Sequence, residues 1–340
     1  MSHLPVATPA SPHVVDAAAR ARARMRREVL RGLRAAPRTI APKYFYDAAG
    51  AALFERICTL PEYYVTRAEL AILEARAAEI AARLGPRAVL VEYGSGAGLK
   101  VRLLLAALAA PAAYVPVDVS GEQLRRVAAE IRAAFPGLAV RPVCADFTRP
   151  LRLALPAPPA RPVAFFPGST IGNLHPPEAA AFLRRVARTV GPDGALLLGV
   201  DRRKDRATLE AAYDDAAGVT AAFNRNVLAH LNRALGADFD LTAFGHLACW
   251  NAEASRVEMH LVSRRPQTVR IGRTRLHLAQ GERLWTESSY KYAPETLDAL
   301  AAAGGFRVEA RWTDPDERFW VVLLRVGRAA AVSRAARTGC

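Results

Sequence analysis

Short apolar runs alternate with amphipathic stretches through the middle of the chain, and that alternation predicts parallel strands joined by crossover helices. The runs cover residues 89–93, 114–119, 140–144, 163–166 and 195–200. Helices are expected at 99–108, 121–134 and 177–190, the last opening on Pro176-Pro177-Glu178 as a first helical turn should. After Asp201 the alternation stops. Helices at 207–217 and 219–235 precede a polar, strand-rich stretch over 246–292, which reads as an insertion. A last helix at 294–303 leads through Gly304-Gly305 to runs at 306–312 and 318–326, and the turn between them is short enough to force an antiparallel pair.

Upstream, an Arg-rich helix over 19–33 carries Met25, Val29 and Leu30 on one side. Residues 42–64 mix aromatics with turn formers and read as a lid or pocket wall. A helix over 66–84 stops at Gly85-Pro86. The expected fold is α/β: a doubly wound, Rossmann-like seven-stranded sheet with an antiparallel last hairpin, plus a smaller α+β substrate domain. The expected division is a cofactor domain from 61–201 and 293–327, a substrate domain from 19–60 and 202–292, and disordered tails at 1–18 and 328–340. A parallel sheet closed by such a hairpin is the arrangement of many methyltransferases rather than of dehydrogenases.

Composition narrows the field. Half of the 340 residues are apolar, enough for a substantial core. The formal charge of +15 raises the question of nucleic acid or an anionic membrane. The positive residues are scattered arginines, however. The lysines are Lys43, Lys100, Lys204 and Lys291, and no aromatic interleaving accompanies the arginines, so neither partner is expected. Cys58, Cys144, Cys249 and Cys340 show no disulfide or zinc spacing, so no metal is expected. With no leader pattern or membrane-length apolar run, a cytoplasmic protein, monomeric and acting on a small molecule, is the simplest expectation.

The candidate chemistry lies at the carboxyl ends of the predicted strands. Gly94, Ser95, Gly96 and Gly98 form a turn between strand and helix, where glycines let backbone approach a ligand and the helix N-terminus offers free N–H groups. Alone, the triplet equally fits a structural turn or a nicotinamide site. Asp118 ends the next run, placed to accept from ribose hydroxyls; Asp146-Phe147 ends the third, placed to meet adenine. Lys100, on the first turn after the loop, can face a carboxylate. Each has a plainer explanation as a cap, turn or solvated residue. Together at three consecutive strand ends, they point to S-adenosylmethionine.

Longer phrases carry a resemblance. Lys43-Tyr44-Phe45-Tyr46-Asp47, Leu60-Pro61-Glu62-Tyr63-Tyr64-Val65-Thr66-Arg67, Phe166-Pro167-Gly168-Ser169-Thr170-Ile171-Gly172-Asn173-Leu174 and the stretch from Ala212-Tyr213 to Asn226 resemble the L-histidine Nα-methyltransferases of ergothioneine biosynthesis, over about residues 41–326. The resemblance implies three methyl transfers to the α-amino nitrogen of histidine, giving hercynine. It places Asn173 and Tyr213 at the substrate carboxylate, Tyr46 and Gly168 near the amino group, Tyr63, Glu287 and Ser289 at the imidazole, and Met259 beside the ring. Tyr46 is expected to touch the cofactor as well and to orient the amine. From the residues alone, Met259 reads as core, Glu287 as an exposed strand residue, Tyr63 as aromatic packing and Asn173 as a turn residue. Ala97 and Leu99 depart from the more polar loop expected, and Tyr93 stands where a smaller aliphatic residue is expected. The rivals are an enzyme of this fold acting on another amino acid such as tryptophan, and an RNA or protein methyltransferase.

Overall fold

A computed structural model of the chain describes residues 12–157 and 160–327. Its central sheet is built from β1 (Ala88–Tyr93), β2 (Ala113–Asp118), β3 (Ala139–Val140), β4 (Val143–Cys144), β5 (Arg161–Phe166), β6 (Ala195–Asp201), and a C-terminal pair whose bounds are given below. β1 pairs in parallel with β2 and β5, and β5 with β6. The predicted third run is interrupted. Arg141-Pro142 separates β3 from β4, which pair in succession with β2, because Pro142 has no N–H to give to a ladder.

The C-terminal pair comprises β12 (Phe306–Thr313) and β13 (Phe319–Val326); β13 runs antiparallel to both β12 and β6. The sheet order is therefore β12-β13-β6-β5-β1-β2-β3, eight strands in seven positions, the expected doubly wound arrangement with its antiparallel hairpin.

Continuous apolar runs are needed because both faces are covered. Leu90, Val163, Phe165 and Leu197 face the helices α3 (Tyr64–Leu84), α4 (Leu99–Ala107) and α5 (Gly121–Ala134). Their neighbours Val91, Ala164, Phe166 and Leu198 face α6 (Pro176–Val190) and α9 (Pro294–Ala303). Tyr93 belongs to this second layer, where its ring meets Phe147, Phe166 and Phe182 edge-on, with centroids 5.4–6.3 Å away. That aromatic cluster accounts for the large residue at a position where a small aliphatic was expected.

A second sheet has the order β11-β8-β7, with β7 (Phe244–Asn251), β8 (Arg256–Ser263) and β11 (Arg283–Tyr290) all antiparallel, and β9 (Gln267–Ile271) pairs with β10 (Thr274–Leu278) as a separate hairpin. Helix α8 (Val219–Leu235) lays Phe223, Val227 and Leu231 in the same core as Val257, Met259 and Leu261. This core is continuous with the α3 side of the central sheet.

Helix α1 (Pro12–Arg34) begins ahead of the expected position 19, so part of the expected tail is helical; residues 1–11 and 328–340 lie outside the described residues. The aromatic segment folds as a 3-10 turn, Pro42–Phe45, and a short helix, α2 (Ala48–Ile57). The helix expected at 207–217 is shorter, α7 (Arg206–Ala211), and gives way to turns before Gly218. Among the described residues, no helix is long and apolar enough to cross a membrane.

Candidate active site

All parallel strands of the sheet point their carboxyl ends at one edge, so Tyr93, Asp118, Cys144, Phe166 and Asp201 deliver the segments that follow them to a common crevice. The loop after β1 takes left-handed backbone at Gly94 (φ 75°), Gly96 (φ 49°) and Gly98 (φ 73°). At Gly98 space is short as well, since a Cβ would lie 2.9 Å from Val127 Cγ1 on α5. Gly98→Ala therefore combines left-handed strain with a clash, about 1–3 kcal/mol together. The expected outcome is a lower melting temperature and an S-adenosylhomocysteine affinity weakened about tenfold or more, read by thermal shift with and without the ligand.

Asp118 is held beneath this loop. Burial pushes its carboxyl above the ordinary range, opposed by the backbone N–H groups of Ser120, Gly96, Ser95 and Val119. Ser95 is buried, and its Oγ has no partner among the described residues, so the loop presents an unsatisfied hydroxyl. Phe147 lies under Gly94, its ring 3.8 Å from where a Cβ would be. Lys100 reaches Glu69, with Nζ 2.5 Å from Oε2, and the same oxygen accepts the Gly168 N–H at 2.8 Å. Asp146 is already engaged: Lys43 Nζ lies 2.9 Å from its Oδ2 and the Thr148 N–H 3.0 Å from its Oδ1. Burial raises its carboxyl, but the Thr148 hydroxyl, Lys43 and the Thr148 N–H together outweigh burial and hold it below the usual range.

Glu92, which sequence reasoning left aside, is buried in β1 and bonded to Tyr114 Oη; burial pushes its carboxyl up to about 8. Glycine turns, a half-buried acid at the second strand end and a hydroxyl unpartnered among the described residues suit a nucleoside bearing an amino-acid tail.

The substrate-side residues come from three directions. Tyr46 follows the 3-10 turn, and the next residue, Asp47, caps α2 by accepting the Gly50 N–H at 2.8 Å while also accepting from Asn226 of α8 at 2.8 Å. The Tyr46 ring packs edge-on to Phe54 and Phe223, with centroids 5.6 and 5.8 Å away. Tyr63 meets Phe54 and Tyr213 edge-on at 6.3 and 6.2 Å. Burial pushes the phenols of Tyr46, Tyr63 and Tyr213 above the ordinary tyrosine value, and for Tyr46 the nearby Glu287, Cys58 and Asp118 act in the same direction.

Gly168 (φ 74°) and Ser169 (φ 56°) are consecutive left-handed residues after β5, and Ser169 Oγ accepts the Asp201 N–H at 2.9 Å. They launch the 3-10 turn Thr170–Asn173, which rests on β11: a Cβ on Gly172 would lie 2.8 Å from the Tyr290 carbonyl oxygen.

A bulge on β11 decides what faces the crevice. Trp285 pairs with His260 and Glu287 with Met259, so Thr286 is the extra residue. Beyond it, Glu287 and Ser289 share the face of Met259 and Val257, the inner face packed on α8. Glu287 is buried, has no side-chain hydrogen bond among the described residues, and is pushed up to about 7 by burial, with Lys291 opposing.

Behind Ser289 lies a buried ionic cluster that sequence reasoning did not find. Lys291 Nζ is 2.6 Å from Asp201 Oδ2, 2.9 Å from Tyr213 Oη and 2.9 Å from Ser289 Oγ. Tyr64 Oη and Lys204 complete the shell of Asp201 at 2.8 and 2.6 Å. On the outer face of the second sheet, cross-strand register gathers Cys249, Glu258 and His260 within 4.8 Å, with Arg256 on Glu258 at 2.7 Å. Residues spaced too widely in sequence to signal a cluster are brought together by pairing.

The sheet order and the glycine-acid loop at its carboxyl edge define an S-adenosylmethionine-dependent methyltransferase. A model of the histidine-specific, SAM-dependent methyltransferases matches residues 25–326, and the chain belongs to that family. It is 48% identical over 313 residues to a histidine N-alpha-methyltransferase of Mycolicibacterium smegmatis, covering 91% of this chain and 96% of that one. To the protein of the same name in Mycobacterium tuberculosis it is 45% identical over 304 residues, covering 88% and 94%. Ergothioneine biosynthesis protein 1 of Neurospora crassa is 31% identical over 291 residues, which span 83% of this chain and 32% of the longer fungal protein.

Proposed function

We propose that this enzyme methylates the α-amino nitrogen of L-histidine three times, giving hercynine for ergothioneine synthesis. The observation that carries the substrate choice is the unpartnered, buried Glu287 carboxylate beside Ser289 on one strand face. An imidazole can give an N–H to Glu287 and set its second ring nitrogen against Ser289, a position that an indole fills with carbon. In this reading Tyr63 and Met259 flank the ring, Asn173 and Tyr213 take the carboxylate, and Gly168 and Tyr46 lie at the amine. Gly94, Ser95, Gly96, Asp118 and Phe147 hold the cofactor, with Tyr46 at its methyl end. Lys100 and Asp146 serve the cofactor through partners they already have, Glu69 and Lys43. The segments 19–60 and 202–292 form the substrate half, and 61–201 with 293–327 the cofactor half.

When bound, S-adenosylmethionine supplies an electrophilic methyl group on a sulfonium. The protein's task is then to present a neutral amine lone pair behind that methyl and keep water away. The free α-amino group titrates near ~8, so no strong base is needed. Tyr46, whose burial keeps its phenol protonated, orients the nitrogen. Tyr46→Phe should lower kcat about 10- to 100-fold while the KM for cofactor stays within about threefold. An unchanged kcat removes Tyr46 from the reaction centre. Incubation with histidine, tryptophan and tyrosine, followed by product mass, tests the substrate: a trimethylated product from histidine alone is expected.

A further inference from the structure

We propose that Lys291 is a positioning residue that binds Tyr213 and Ser289 into one unit with a single outward proton, so that the substrate ring is held as an imidazolium between Glu287 and Ser289. The inference rests on the pocket proposed above, in which Tyr213 meets the substrate carboxylate.

An ammonium has three protons, and here each has a partner: Asp201 Oδ2 at 2.6 Å, Tyr213 Oη at 2.9 Å and Ser289 Oγ at 2.9 Å. Both hydroxyl oxygens therefore accept from Lys291. They also touch each other at 2.7 Å, which consumes one of their two protons. One proton is left for the ligand. A substrate carboxylate accepts only, so the remaining proton must be that of Tyr213, and Ser289 must donate to Tyr213.

Ser289 then faces the ring as an acceptor. Glu287, two residues earlier on the same strand face, is an acceptor too when ionised. A neutral imidazole offers one N–H and one lone pair and would set that lone pair against an oxygen; an imidazolium offers N–H to both.

The charges agree. Lys291 is paired with Asp201 at the back of the pocket, Lys204 shares that carboxylate and also faces Asp314, and the tyrosines around Glu287 (Tyr46, Tyr63 and Tyr213) are kept neutral by burial. Glu287 is thus the anionic group on the strand face that meets the ring, without a side-chain hydrogen bond among the described residues until a cation arrives.

The test uses the full enzyme with S-adenosylhomocysteine and L-histidine labelled with nitrogen-15 in the ring, observed by NMR at pH 8, where free imidazole is mostly neutral. Two protonated ring nitrogens in the bound state are expected; one protonated and one bare nitrogen overturns the inference. If labelled histidine fails to bind at all, the proposed function fails instead. Lys291→Met, paired with Asp201→Asn to avoid a buried uncompensated charge, frees Ser289 to donate. One bound ring nitrogen should then lose its proton, and the KM for histidine should rise about tenfold with kcat less affected and cofactor affinity within about twofold. A doubly protonated ring in that folded variant removes Lys291 from the role.

Discussion

Asp201→Ala should destabilise the fold by about 3–5 kcal/mol, the usual result of removing one partner of a buried ion pair. In a chain of this size that is a drop in melting temperature on the order of 10 °C. Asp201 is fully buried at the end of β6 and faces two lysines and the Tyr64 hydroxyl. Burial raises its carboxyl, but Lys291 and Lys204 outweigh burial and hold it below the ordinary range. Its contribution is therefore present above the usual carboxylate range and lost as pH falls through its folded value.

After the substitution Lys204 has an escape: burial already pushes its ammonium down to about 8, and it keeps some access to solvent. Lys291, fully buried, has none. Thermal denaturation of Asp201→Ala and of Asp201→Ala with Lys291→Met decides the matter. The double variant should be the more stable of the two, and a single variant within 2 °C of wild type, roughly the smallest shift worth reading, would sink the account.

Glu287→Ala should raise the KM for histidine about 10- to 100-fold, from the loss of a charge-assisted hydrogen bond worth about 1.5–3 kcal/mol, and leave cofactor affinity unchanged by calorimetry. Discrimination against tryptophan should shrink in parallel. Unchanged histidine affinity would sink the assignment. The empty enzyme behaves oppositely. Raised from 4.5 to about 7 by burial, this carboxyl contributes fully below its unfolded value and loses that contribution as pH rises through about 7. At about 1.4 kcal/mol per pH unit, the ionised form costs the ligand-free fold about 3 kcal/mol. Glu287→Gln should therefore gain stability over wild type on going from pH 5 to pH 8, in thermal scans without ligand. A site destabilised for want of a partner is what specificity for that partner requires.

The fold was legible because a doubly covered parallel sheet leaves a strong trace: runs such as 195–200 have no polar residue to confuse the period. The second half of the site was less legible. Strict alternation from buried Leu284 through Thr286 would turn Glu287 to the outside, and the bulge that reverses this has no sequence mark. The base-rate expectation of an exposed Glu287 failed for that reason. Met259 faces the core, as the alternation of Val257, Met259 and Leu261 predicts, and that core face continues to the proposed pocket.

Lys291 and Asp201 lie 90 positions apart, and the parallel bridge of Arg202 with Tyr292 brings their strand ends together. Lys100 looked like a solitary cation because its partner, Glu69, comes from a helix whose other buried residues are mostly apolar. Nothing in a sequence distinguishes such an acid from a solvated one before the helix is docked.

The aromatic packing of Tyr46, Phe54, Tyr63, Tyr213 and Phe223 has a consequence for a reaction that repeats on one atom. On the proposed reading, each methyl takes a hydrogen-bond donor from the nitrogen, and the last leaves it with none and a permanent positive charge. Walls that relied on N–H partners would grip each intermediate less than the one before. The electron-rich faces of aromatic rings attract a quaternary ammonium without asking for a proton. On that reading, rings set around the amine would keep hold of the ligand as the methyl count rises, and so favour running the series to its end over releasing the product half-finished.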